Sequence, residues 1–353
     1  MGKYSIMKKK RTRRLAELKN IFPTTYMMLD ARHCPKRRGL FFELLIFYFA
    51  YWIIKMIESV VAAIPQTFYL LRDPDFLSLL ADPDQLETMT VEQFAEFFLS
   101  LTQKMPSSLL LCTLFATVVT VLGAIFVCVK LEKRNLSSMG LRRRGAVGEY
   151  LLGLGFGAVL LGGAVLIARG TGAMDFSLNE EANYGTVALF FLAFMVQALS
   201  EELLCRGYLM MSLSRTASPM ASVILSAVVF AMLHSGNAAV SPLALLNIVL
   251  VGIFFGAYAL KRGSIWGAAA MHAMWNFLQG NVFGIPVSGT PIRDSVLQIS
   301  SLLDTKHHVS GGAFGLEGGL AVTIVLLIAI GLVFPWKAKA SEVVSVQMEE
   351  ESV

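Results

Sequence analysis

The sequence predicts an all-α protein, a polytopic transmembrane helical bundle of about eight spans with both N and C termini cytoplasmic. Three observations carry that prediction. Of 353 residues, 55% are hydrophobic and only 16% charged, and the mean hydropathy is +0.63, a balance that soluble domains of this size do not usually show. Apolar runs of about 20 residues recur along the chain, the length that crosses a hydrocarbon layer about 30 Å thick. The loops between them alternate basic, acidic, basic, and basic loops stay on the cytoplasmic side. A multi-pass integral membrane protein, in the plasma membrane, is the expected location.

Residues 1–38 carry Lys8-Lys9-Lys10-Arg11, Arg13-Arg14 and Lys36-Arg37-Arg38. This stretch is too basic, and lacks the short apolar core, to be a cleaved signal peptide. It reads as a cytoplasmic anchor; no aromatic-basic module points to nucleic acid. The first span is expected over Gly39 to Ile64, with Lys55 and Glu58 paired near its far end. Residues 65–106 are acidic (Asp73, Asp75, Asp82, Asp84, Glu87, Glu92, Glu96), hence outside, with helical periodicity from Val91 to Leu101. The second span, Ser107 to Val129, runs into Lys130, Lys133, Arg134 and Arg142-Arg143-Arg144. The third, Ala146 to Ile167, is glycine-rich and permits close helix contact. An acidic loop (Asp175, Glu180, Glu181) leads to the fourth, Thr186 to Leu213. The fifth, sixth and seventh are expected over Ala221–Leu233, Leu243–Leu260 and Ile265–Val282. A loop over 283–314 leads to the eighth, Leu316 to Phe334. The chain thus divides into the basic segment 1–38, two N-terminal spans with an acidic loop (39–145), a core over 146–336 and a cytoplasmic tail, 337–353. Cys34, Cys112, Cys128 and Cys205 are scattered without a CxxC and read as small apolar residues rather than a disulfide frame.

Polar residues interrupt this core in three places. Glu201-Glu202 and Arg206 lie inside the fourth span, where each charge costs roughly 2.5–3.5 kcal/mol unless paired or used. Glu202 and Arg206 are i,i+4 in the favourable order for an ion pair. Glu201 is rotated about 100° away and shares its stripe with Gln197, Leu204 and Cys205. The pattern makes Glu202 the paired carboxylate and Glu201 the free one, against the bland reading of an inert charge network. Phe230 and His234 close the fifth helix, with Phe230 expected in the core. His272 and Asn276 share a face of the seventh. Counted from the turns, Glu201 and His234 reach comparable heights, and His272 should sit nearer the inside. A buried imidazole or amide can also be a simple interhelical bond.

Glu-Glu-x-x-x-Arg, Phe-x-x-x-His and His-x-x-x-Asn, each on its own apolar segment and in this order, resemble the CPBP family of intramembrane endopeptidases (CAAX proteases and bacteriocin-processing enzymes, also called Abi). The likeness covers about residues 184–283; Cys205 stands where many members carry a bulky apolar residue. It implies a protease in which Glu201 and His234 activate water while His272 and Asn276 hold the oxyanion. Glu202 and Arg206 then act as a supporting pair. No cofactor is expected on this reading. A zinc enzyme with Glu201, His234 and His272 as ligands is the alternative, and a peptide-binding immunity protein or transporter is a non-catalytic one. The expected partners are the lipid bilayer and a membrane-associated peptide or protein substrate, with no nucleic acid.

Overall fold

Apolar runs become helices because a membrane leaves the backbone no other partner for its N–H and C=O groups, and local signals set where each helix begins. In the computed structural model, which describes residues 24–33 and 38–336, Asn183, Ser218 and Ser241 each accept a hydrogen bond from the third backbone N–H after them, with proline opening the last two helices. Gly263, left-handed at φ 62°, ends the helix that Ser241 starts. The basic runs at Lys8–Arg14 and Lys36-Arg37, Cys34 and the 337–353 tail lie outside the described residues.

The main elements are α1 (Leu40–Leu70), α2 (Val91–Lys104), α3 (Ser107–Leu131), α4 (Ala146–Gly170), β1 (Met174–Leu178), α5 (Tyr184–Leu213), α6 (Pro219–Leu233), α7 (Pro242–Arg262), α8 (Trp266–Phe277), β2 (Leu297–Leu302) and α9 (Leu320–Val333). A π-turn, Leu278–Val282, extends α8. By length and composition, five of the described helices can cross a membrane: α1, α3, α4, α5 and α7. The apolar helices α6 and α9 are shorter.

Three boundaries differ from expectation. α1 runs through Pro65 to Leu70 instead of stopping at Ile64, because its last turns are held from outside: Gln66 donates to Thr113 at 3.1 Å and Tyr69 to the Lys104 carbonyl at 3.0 Å. The eighth apolar segment becomes helical at Leu320, since Gly311, Gly312 and Gly315 take positive φ and fold the approach into short turns. β1 and β2 pair antiparallel, Met174 opposite Leu302 through Leu178 opposite Leu297, so two loops far apart in sequence meet at one end of the bundle.

At the other end, a buried network ties the basic loops together. Arg38 bonds Glu132 at 2.6 Å, and Arg215 bonds both Glu132 at 2.8 Å and Glu43 at 2.9 Å. Burial alone would push the Glu132 carboxyl up, but the hydrogen bonds from Arg38 and Arg215 hold it below its ordinary value. Glycine brings α4 against α8: a Cβ at Gly153 would lie 2.3 Å from the Gly267 carbonyl oxygen, and one at Gly157 2.6 Å from that of Met271. α4 and α8 therefore touch backbone to backbone. This is the close contact the glycine-rich third span predicts.

Candidate active site

α5 carries the two glutamates at the point where its regular winding gives way to a π-turn over Leu203–Leu209, a widening that recurs at functional sites. Glu202 and Arg206 are fully buried and paired at 2.9 Å, as their spacing predicts. Phe230 is buried with the core and also supports the ion pair, because the Arg206 guanidinium stands 4.3 Å from its ring centroid and 5.7 Å from that of Phe255. The ring faces satisfy a cation whose Nε and Nη2 have no hydrogen-bond acceptor. Cys205 is buried, and Cys112 and Cys205 are free thiols.

The histidines converge on Glu201. His234 follows the last residue of α6, and its Nδ1–H donates to the Phe230 carbonyl at 2.8 Å. His272 donates from Nδ1 to Glu202 at 3.1 Å. Both rings therefore turn Nε2 toward Glu201 Oε2, at 4.0 Å for His234 and 3.7 Å for His272. The expectation that His272 sits nearer the inside does not hold. The turn before α8 is covered by its neighbours: Ser264 and Ile265 are buried, and the Ile265 N–H bonds the Gly140 oxygen of the preceding basic loop. The count from residue 262 thus starts deeper than a surface turn.

Oε1 of Glu201 accepts from Gln197 at 2.7 Å, and Gln197 in turn accepts from Asn276 at 3.1 Å. Oε2 is buried without a hydrogen-bond partner. With its Nδ1 donating, the His234 ring in its neutral form presents a lone pair at Nε2, so two acceptors, that nitrogen and Glu201 Oε2, face each other and call for a donor between them. Ligands of a tetrahedral zinc lie about 3.3 Å apart, from bonds of about 2.0–2.1 Å; the separations here are wider. Among the described residues, no group of three or more His, Cys, Asp or Glu side chains is arranged to hold a metal ion. The gap between Glu201 Oε2 and the two imidazoles is wide enough to take a water.

The site faces a cavity of about 380 Å3, and its outer wall comes from the N-terminal spans through Tyr51, Lys55, Thr113 and Thr120. Sequence reasoning gave these spans no role, since they carry no motif. A second, much smaller cavity of about 50 Å3 opens from His234, His272 and Asn276 to Asn247, Ser288 and Glu317. Burial pushes the Glu317 carboxyl up to about 7. Neither Gln197 nor Glu317 belongs to a motif; the one signal in sequence was the stripe that Gln197 shares with Glu201.

Residues 183–278 match the family model described as Type II CAAX prenyl endopeptidase Rce1-like. The resemblance carried by the three motifs is thereby met over that stretch, and residues 183–278 of this membrane chain are similar to the CAAX-protease family. A search of curated proteins finds no match.

Proposed function

We propose that the protein is an intramembrane endopeptidase that cleaves a membrane-associated peptide or protein by a metal-free mechanism. The observation that supports this reading is the orphaned Glu201 Oε2, buried and facing two imidazole nitrogens at the wall of the larger cavity. A water between them donates one hydrogen to Glu201 Oε2 and the other to His234 Nε2. As its oxygen attacks the peptide carbonyl, a proton passes to Glu201, which later delivers it to the leaving amine. The oxyanion accepts from the Asn276 amide and from His272, which donates at Nε2 in its protonated form with Glu202 holding its Nδ1–H. Such donors in a dry site contribute several kcal/mol. Glu202 and Arg206 hold His272 and the helix, and touch no reacting atom.

Membrane peptidomics of cells carrying wild-type protein or Glu201→Gln tests the reaction class. Peptides that appear only with the wild type are expected; identical peptide sets would overturn it. Metal analysis tests the chemistry. Active protein is expected to hold no stoichiometric zinc and to survive chelation. One zinc per chain, lost and restored together with activity, would move Glu201, His234 and His272 to the role of ligands.

A further inference from the structure

We infer that Gln197 is a positioning residue that fixes the direction of the Asn276 amide through Glu201, an inference that rests on the protease reading above. A carboxylate accepts hydrogen bonds and donates none. At 2.7 Å from Glu201 Oε1, the Gln197 amide must therefore present its NH2 group, which leaves its carbonyl oxygen on the opposite side. That oxygen lies 3.1 Å from Asn276 Nδ2 and compels Asn276 to present NH2 in its turn. The charge of Glu201 is thus translated, across two amides on two helices, into the orientation of Asn276. One of its N–H groups is spent on Gln197 and the other is free for an oxyanion.

Without this reference the Asn276 amide can turn over and offer Oδ1, which repels a developing oxyanion instead of binding it. Gln197 also removes Oε1 of Glu201 from the competition for water, so that Oε2 alone faces the two imidazoles. It can do both because it stands one helical turn before Glu201 on the same face of α5 and borders the large cavity. It lies outside all three motifs.

The test uses peptides whose appearance depends on Glu201, followed as initial rates per folded protein after induction. Gln197→Met keeps the length of the side chain and removes both hydrogen bonds. A loss of 10–100-fold is expected, the scale on which misplacing a reacting group by about 1 Å acts. A double-mutant cycle with Asn276→Ala supplies the readout that a merely structural role would not move. Once the amide is gone only the hold on Glu201 Oε1 remains, so Gln197→Met should cost at least about threefold less in that background than in the wild type. Should Gln197→Met not fold, Gln197→Ala, which likewise removes both the donor and the acceptor, is read in its place with the same expectation. A wild-type rate for the Gln197 variant, or losses that multiply in full, would overturn the inference while leaving the protease reading intact. Identical peptide sets from wild type and Glu201→Gln would instead bring down the protease reading, and the role of Gln197 with it.

Discussion

Glu202 Oε1 accepts from Arg206 at 2.9 Å and from His272 at 3.1 Å, so one fully buried carboxylate oxygen anchors both the charge balance of α5 and the tautomer of a histidine on α8. Glu201, one residue earlier, has no cation of its own helix to answer. The two glutamates should separate in experiment. Glu202→Ala or Arg206→Ala strands a buried charge and is expected to cost roughly 3–5 kcal/mol of stability, seen as a lower unfolding temperature and folded yield in detergent. Glu201→Gln should unfold close to wild type and yet be inactive. Comparable destabilisation by all three would remove the division of labour. The Glu202–Arg206 pair was legible in the sequence because both partners lie on one helix at i,i+4 spacing. The His272–Glu202 and Asn276–Gln197 bonds join residues 70 and 79 apart, and no periodicity announces a contact made by packing.

Among elements, the turn-rich stretch from Gly311 to Gly319 shows how a segment can be polar and buried together. Glu317 accepts from Gln279 and from Ser288, and Asn247 reaches over to donate to the Glu317 and Gly319 backbone oxygens. The segment read in the sequence as a loop followed by the start of a span, because glycines and one carboxylate do not reveal that they will be tucked between helices. Its buried acid has a measurable consequence. Folding raises the Glu317 pKa from 4.5 to about 7, so between those values the folded chain keeps a proton that the unfolded chain releases. The stability this group contributes is present below pH 4.5 and lost as pH rises through 7. Glu317→Gln lacks that dependence, and its unfolding temperature should gain on the wild type from pH 5 to pH 8. Parallel curves over that range would refute the assignment.

At the scale of the whole molecule, helix positions were read well because proline, serine and glycine mark the ends, while five of the eight expected spans are described helices long and apolar enough to cross a membrane. The β1–β2 pairing was not read: short strands in two distant loops leave no local trace. It does bring the 171–183 and 283–314 loops to one end, opposite the Arg38–Glu132–Arg215 network. Given the loop charges, we propose that this end faces outward and both termini face the cytoplasm. After replacement of the native cysteines, Thr88→Cys and Ser300→Cys, both exposed positions, should react with an impermeant maleimide applied to intact cells. Labelling only after permeabilisation would reverse the orientation.

The outer wall of the large cavity has an implication for heredity rather than chemistry. Tyr51, Lys55, Thr113 and Thr120 come from segments lying outside the stretch 183–278 that the family model matches. On the protease reading, the residues proposed to break the bond and this wall, which would meet the incoming chain, are separate stretches of the gene, free to change at different speeds. A lineage could refit α1 and α3 for a new client without disturbing a single reacting group. Chimeras that exchange residues 39–131 between related chains should accordingly exchange diets while keeping the same teeth.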